Sequence, residues 1–159
     1  MIKRLAKVLL GWGRRSTREK YLLLYRWRGV VANVLSPFPV PLPWLLHHFG
    51  SDKHRPGWHG YGPVYQALFR AMKYQRIQML EIGIGGYGES LGGTSLLAWQ
   101  AFLPRGTIHG ADIEDKTALA RGRRHVVILD QSSAPELDAL KVNLAPFDLT
   151  NPLIFPGSP

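Results

Sequence analysis

The sequence predicts an α/β domain on a doubly wound parallel sheet, because two apolar strands and a glycine-rich loop follow one another in the order that such a sheet requires. Residues 77–82 form a near-continuous apolar run, as expected for a parallel strand covered on both faces. A second strand, residues 107–112, ends on Asp112, whose carboxylate can accept hydrogen bonds from sugar hydroxyls. The carboxyl ends of these strands are therefore the predicted ligand site.

The loop after the first strand combines glycines with acidic neighbours. Residues 83–88 read GIGGYG, which matches the G-x-G-x-x-G pattern that places a helix N-terminus on the pyrophosphate of a dinucleotide. Glu81 precedes the loop and Glu89 follows these glycines, and their charge disfavours a diphosphate. A cationic ligand, such as the sulfonium and amino group of S-adenosylmethionine, fits better. A dinucleotide-binding oxidoreductase fragment and a turn that binds nothing remain alternatives.

The remaining pattern continues the alternation of strands and helices. We expect a third strand at 125–129, a helix at 135–143 that starts at Pro135, and a fourth strand that begins at Pro146. Upstream, Pro63 is expected to open a helix with one apolar, buried face. The residues expected on that face are Val64, Ala67, Leu68, Ala71 and Met72.

A resemblance to a known family rests on residues 80–116, which read LEIGIGGYGESLGGTSLLAWQAFLPRGTIHGADIEDK. This stretch resembles class I S-adenosylmethionine-dependent methyltransferases and is similar, more narrowly, to macrolide-sugar O-methyltransferases of the mycinamicin type. The upstream FGSDK segment and the spacing of His59, Tyr61 and Tyr65 fit the same family. The resemblance covers residues 49–148 and several motifs in order, which makes it specific.

The resemblance implies a Rossmann-like class I methyltransferase sheet, incomplete in this chain and preceded by a helical extension. It implies S-adenosylmethionine as the cofactor and methyl transfer to a hydroxyl, on a sugar of a small-molecule natural product or of a glycolipid. Seven positions match the cofactor-binding residues of the family. They are Glu81, Gly83, Gly85 and Gly86 for the methionine part, Asp112 for the ribose, and Asp130 and Gln131 near the adenine.

The end of the sequence departs from the family pattern. The family binds magnesium through acidic residues that follow the fourth strand, whereas this sequence has no Asp, Glu, His, Lys or Arg after Asp148. The metal ligands and the catalytic base are therefore not visible. We expect residues 49–149 to be the N-terminal part of a methyltransferase-like domain and residues 150–159 to be a divergent tail. The alternative is a non-catalytic remnant, truncated after the fourth strand.

The first residues are strongly basic. Residues 1–35 hold nine of the twenty Lys and Arg residues and a single acid, Glu19. Residues 1–36 are interpreted as a basic helical extension, and residues 37–48 as a stiff, proline-rich linker. Ser16 and Glu19 form a capping-box pattern for a helix that runs to about residue 35. One face of that helix is expected to carry Leu24, Tyr25, Arg28, Val31, Ala32 and Leu35.

Two roles for this basic extension remain open. It packs over the site as a family-like lid, or residues 1–35 contact an anionic membrane surface. No run of apolar residues is long enough for a membrane span, and no specific nucleic-acid module is visible. The absence of cysteine excludes thiolate metal sites and a cysteine nucleophile. We expect a cytoplasmic protein, with peripheral membrane association as the alternative.

Overall fold

The computed structural model describes residues 15–54, 60–86, 90–144 and 153–156. Several sequence predictions lie outside the described residues: residues 1–14 of the basic helical extension, His59, Glu89, and the strand expected to begin at Pro146.

The described strands form one parallel sheet. They are β1 (Gln78–Ile82), β2 (Thr107–Asp112), β3 (Arg124–Ile128) and β4 (Leu153–Pro156). Their order is β3-β2-β1-β4, and every neighbouring pair is parallel. The predicted α/β class is confirmed, and β1 and β2 lie where the apolar runs placed them. However, β3 begins one residue earlier than expected, and β4 lies within the segment that was interpreted as a divergent tail.

Five α-helices surround this sheet in the described residues. They are α1 (Thr17–Leu35), α2 (Leu42–His48), α3 (Tyr61–Phe69), α4 (Thr94–Phe102) and α5 (Ala134–Leu144). Every residue of α4 from Ser95 to Phe102 is buried, as expected for a helix that is covered on all sides. Helices α1 and α2 and strand β2 all pack against it. The main hydrophobic core therefore lies around α4.

Helix α1 begins at the predicted capping box. The Ser16 hydroxyl accepts a hydrogen bond from the Glu19 backbone N–H at 3.2 Å, and Glu19 Oε2 accepts one from the Ser16 backbone N–H at 2.8 Å. Of the residues expected on one face of this helix, Tyr25 and Ala32 are buried, whereas Leu24 and Val31 are about half exposed. The fully buried positions are Tyr25, Gly29 and Ala32, which face α4 and the Arg124 side chain.

The proline-rich segment also differs from its interpretation as a linker. Its second half is helix α2, in which Leu42, Leu45 and Leu46 are fully buried. Pro41 stands at the N-cap and Pro43 in the first turn, where a missing backbone N–H costs no intrahelical hydrogen bond. The prolines therefore begin a core helix here.

The buried face predicted for α3 is wrong. Val64 and Leu68 are more than half exposed, whereas Gly62 and Phe69 are buried. Phe69 lies edge-on to Trp99 of α4, with ring centroids 5.2 Å apart. The aromatic contact, rather than the aliphatic stripe, sets the orientation of this helix. None of the helices in the described residues is long and apolar enough to cross a membrane.

Candidate functional site

The loop after β1 turns through three glycines with positive φ. These φ values are 73° at Gly83, 68° at Gly85 and 87° at Gly86, in the region that residues with side chains rarely adopt. The chain returns so closely that a Cβ on Gly92 would lie 1.8 Å from the carbonyl oxygen of Gly85. By contrast, a Cβ on Gly85 would meet nothing within 4 Å. The loop is therefore closed on itself at Gly92 and open to a ligand at Gly85.

Asp112 stands at the end of β2 beside this loop, as the sequence predicted. It is 8% exposed, and its carboxylate fixes two backbone segments. Oδ2 accepts a hydrogen bond from the Ile84 backbone N–H at 3.0 Å, and Oδ1 accepts one from the Glu114 backbone N–H at 3.1 Å. The carboxylate is thus held at the mouth of the glycine loop by a backbone N–H of that loop and by one of the turn that follows β2.

Lys116 is a site residue that sequence reasoning missed. Its side chain is 2% exposed, and its ammonium lies 2.9 Å from Asp112 Oδ2. The same ammonium donates hydrogen bonds to the carbonyl oxygens of Gly85 at 2.7 Å and Gly86 at 3.2 Å. A more exposed carboxylate, that of Glu114, lies 3.5 Å away. Lys116 therefore joins the glycine loop to the strand-end acid. The available signal was its place four residues after Asp112.

A cleft of about 340 Å³ opens at the carboxyl ends of β1 and β2. Its volume falls within the usual range for small-molecule sites. Five of the seven predicted site residues line it, namely Gly83, Gly85, Asp112, Asp130 and Gln131. Lys116 and Glu114 also line it. The carboxyl groups of Asp112, Glu114 and Asp130 thus outnumber the single ammonium, which favours a cationic ligand over a diphosphate.

Asp130 is half-buried in this cleft, and its geometry is fixed. The Ser132 hydroxyl donates to its Oδ1 at 2.7 Å and the Ser132 backbone N–H at 2.8 Å. These two hydrogen bonds lower the pKa of the Asp130 carboxyl. A carboxylate held in this way is an oriented acceptor for a polar ligand edge.

Glu81 and Gly86 do not line the cleft. Glu81 is 1% exposed and points towards α4: its Oε1 accepts from the Ser95 hydroxyl at 2.7 Å, and its Oε2 accepts from Trp99 Nε1 at 3.2 Å. The ammonium of Lys53 lies 3.2 Å from Oε1. The sequence predicts that a ligand meets the charge of Glu81, whereas in the structure this charge is paired with Lys53.

The pKa of Lys53 reflects this pairing. Burial by itself would lower the pKa of the ammonium, but the charge and hydrogen bond of Glu81, together with the smaller effects of Asp52 and Tyr65, outweigh burial, so that the pKa is raised. Lys53 belongs to the FGSDK segment, and its ion pair connects that segment to the end of β1.

Within the residues that the structure describes, no group of three or more His, Asp or Glu side chains is arranged to hold a metal ion. No magnesium site can therefore be assigned to the described part of the chain.

Several known proteins are similar to this chain in sequence. No family model matches the sequence. Mycinamicin VI 2''-O-methyltransferase of Micromonospora griseorubida is 40% identical over 92 residues, which cover 57% of this chain and 23% of that protein. Demethylmacrocin O-methyltransferase of Streptomyces fradiae is 40% identical over 108 residues, covering 65% and 27%. The chain thus spans about a quarter of the length of these curated relatives.

A solved structure agrees with the sequence relatives. The MycE methyltransferase of the mycinamycin biosynthetic pathway, determined in complex with Mg, SAH and mycinamycin VI, superposes with a TM-score of 0.66 at 35% identity. The match covers 75% of this chain and 32% of that chain. Over the matched part, this chain is therefore similar in sequence and in fold to class I, S-adenosylmethionine-dependent sugar O-methyltransferases of the mycinamicin type, and it carries a partial Rossmann-like methyltransferase fold.

Proposed function

We propose that this chain supplies the cofactor-binding part of an S-adenosylmethionine-dependent methyltransferase that acts on a sugar hydroxyl of a small-molecule natural product. The observation that carries the proposal is the cleft beside Gly85 and Asp112, at the carboxyl ends of β1 and β2. Ligands of open α/β sheets bind at this edge of the sheet. The named activities of the relatives support the same assignment.

The residues of the cleft fit this cofactor. Gly85 leaves open space where a side chain would otherwise intrude, so that the backbone can approach a ligand closely. Oδ1 of Asp112 accepts one hydrogen bond in the structure and has a lone pair left for a ribose hydroxyl. Asp130 and Gln131 present polar groups at the far side of the cleft, where an adenine edge would lie. The excess of carboxylates suits a sulfonium and an amino group.

When bound, S-adenosylmethionine supplies an activated methyl group on a sulfonium centre. The contribution of this chain is to bind and orient: Asp112 would hold the ribose of the cofactor, and Lys116 keeps the glycine loop against Asp112. Positioning of this kind lowers the barrier of a displacement because the entropy of alignment is lost on binding, before the reaction. No residue is assigned as the base for the acceptor hydroxyl.

A second proposal concerns the exposed apolar side chains of α1. Leu24, Trp27, Val31 and Val34 are between 48% and 63% exposed, and exposed arginines flank them. Such a surface is suited to peripheral contact with an anionic membrane, where a glycolipid acceptor would also be found.

Calorimetric titration with S-adenosylmethionine tests the cofactor proposal, with NAD as the competing ligand. We expect saturable binding of S-adenosylmethionine only, weakened about tenfold or more by Asp112→Ala, because charge-assisted hydrogen bonds to the ribose are lost. Asp138→Ala is the matched control, since Asp138 is an exposed acid on α5, outside the cleft lining. Failure of the folded wild-type chain to bind S-adenosylmethionine would overturn the proposal, and tighter binding of NAD would favour an oxidoreductase fragment.

A further inference from the structure

A second cleft, of about 310 Å³, lies at the amino end of β3. The cleft beside Gly85 and Asp112, called the cofactor cleft below, lies instead at the carboxyl ends of the strands. Arg121–Arg124 lead into the amino end of β3 and form one wall, while Arg26 and Gly29 of α1 face them. Four arginines line this cleft, namely Arg26, Arg121, Arg123 and Arg124, and no Asp or Glu is among its lining residues. The cleft is therefore strongly positive.

The innermost of these cations is buried without a counter-charge. Arg124 is only 2% exposed, and its guanidinium lies over the Tyr25 ring, 5.1 Å from the ring centroid. Nη1 donates to Gln100 Oε1, but Nε has no hydrogen-bond partner in the described structure. Among the described residues, none of the four arginines forms an ion pair with a carboxylate. A buried charge in this state is costly unless a ligand balances it.

The remaining contacts hold the walls of the cleft in place. Arg123 Nη2 donates to the Gln100 backbone carbonyl at 3.0 Å, and Nη1 donates to that of Leu103 at 2.8 Å. The Gln100 side chain in turn donates to Asn33 Oδ1. Arg123 and Arg124 are thus held by hydrogen bonds, whereas Arg26 and Arg121 are exposed to solvent.

The arginines also repel one another. Burial lowers the pKa of Arg124, which the charge of Arg121 lowers further while Tyr25 opposes the change. Burial and the charge of Arg124 lower the pKa of Arg123. An anion between these side chains would relieve both the repulsion and the missing counter-charge.

We propose that the cleft between α1 and Arg121–Arg124 binds a phosphate group, carried by a soluble phosphate ester or by a phospholipid headgroup. A phosphate presents three or four acceptor oxygens and up to two negative charges, which match several converging guanidinium groups better than a single carboxylate does. The limited volume of the cleft, about 310 Å³, favours a single phosphate group over an extended polyanion. This site is separate from the cofactor cleft and does not rest on the proposed methyl transfer.

The test compares wild type with Arg26→Gln/Arg121→Gln, whose exposed positions leave the buried framework intact. Arg70→Gln, at an exposed arginine outside the cleft, is the control for a change of charge. Inorganic phosphate is titrated by calorimetry at a constant ionic strength set with chloride, since screening alters every surface charge. We expect saturable binding by wild type and by Arg70→Gln, weakened about tenfold or more in the double variant.

Sedimentation with vesicles distinguishes the two sources of phosphate. Retention on phosphatidylglycerol vesicles but not on phosphatidylcholine vesicles, lost in the double variant, identifies a headgroup. Binding of inorganic phosphate without retention on either vesicle identifies a soluble ester. If folded wild type binds neither inorganic phosphate nor phosphatidylglycerol, or if Arg70→Gln weakens binding as much as the double variant, the proposal is overturned. Unchanged S-adenosylmethionine binding by the double variant separates this outcome from a failure of the cofactor site.

Discussion

The ammonium of Lys116 lies 2.9 Å from Asp112 Oδ2 and donates to the Gly85 carbonyl oxygen at 2.7 Å. One buried cation thus connects the acid at the end of β2 with the loop that follows β1. Removing it would leave the Asp112 charge without its partner and the loop carbonyls without a donor. The cleft beside Gly85 and Asp112 therefore depends on a residue that belongs to no recognised motif.

Lys116→Met is expected to lower the free energy of unfolding by about 3 kcal/mol, because breaking a buried ion pair leaves one charge uncompensated. Lys141→Met is the matched control. Lys141 pairs with Asp138 at the same 2.9 Å, but both side chains are more than 70% exposed. An exposed pair of this kind contributes about 0.5 kcal/mol or less. Urea denaturation of both variants measures the difference, and equal losses would contradict the buried role of Lys116.

Glu81→Gln is expected to destabilise the fold by a similar amount, roughly 3 kcal/mol, because Lys53 would keep a buried and unpaired charge. Glu81→Gln/Lys53→Met removes both charges and should be more stable than Glu81→Gln alone. A double-mutant cycle by urea denaturation gives the coupling energy. Additive losses would show that the two side chains do not act as a pair.

Gly92→Ala is expected to disrupt the glycine loop, because the new Cβ would lie 1.8 Å from the Gly85 carbonyl oxygen. Gly50→Ala is the control. Gly50 has a similar φ of 75°, but its Cβ would meet nothing within 4 Å, so only the backbone cost of about 1–2 kcal/mol applies. Thermal denaturation and S-adenosylmethionine titration should show a larger loss for Gly92→Ala. Similar losses in both variants would rule out a steric role for this contact.

His109 is expected to make stability depend on pH. It stacks on His125 with ring centroids 5.2 Å apart, and its Nε2 lies 2.6 Å from Gln78 Oε1. Burial, with a smaller contribution from the charge of His125, lowers the pKa of His109 from 6.5 to about 4. The unfolded chain therefore binds this proton near pH 6.5 and the folded chain only near pH 4. Stability should fall as the pH falls through that window, by an amount on the order of 3 kcal/mol.

Urea denaturation at pH 7 and pH 4.5 measures this dependence. His109→Gln should lose less stability between the two pH values than wild type does, because its unfolded chain has no such proton to bind. His48→Gln, at an exposed histidine, should follow the wild-type profile. A pH profile that His109→Gln leaves unchanged would assign the dependence to other groups.

The local features of the fold could be predicted from the sequence. The apolar runs located β1 and β2, and the capping box located the start of α1, because each signal lies within a few adjacent residues. The buried faces of α1 and α3 could not be predicted in the same way. Those faces are set by Arg124 and Trp99, which are distant in sequence and nearby only after folding.

In the candidate site, too, the local patterns could be predicted from the sequence, whereas the contacts between residues distant in sequence could not. Gly85 and Asp112 were recognisable because a strand end and a glycine loop are local patterns. The inward orientation of Glu81 depends on Lys53 and on α4, and the role of Lys116 depends on carbonyls about thirty residues away. A one-dimensional pattern identifies the charged residues but not the charges that neutralise them.

The complete burial of α4 bears on how this protein can change over evolutionary time. A surface helix has one face on which substitutions are nearly neutral, whereas Ser95–Phe102 offers no such face. Its polar side chains also form buried hydrogen bonds: Ser95 and Trp99 donate to Glu81, and Gln100 accepts from Arg124. Substitutions in this helix therefore affect the core, the ion pair of Glu81 and the arginine-lined cleft together. Sequence drift among descendants of this chain should be slowest along α4.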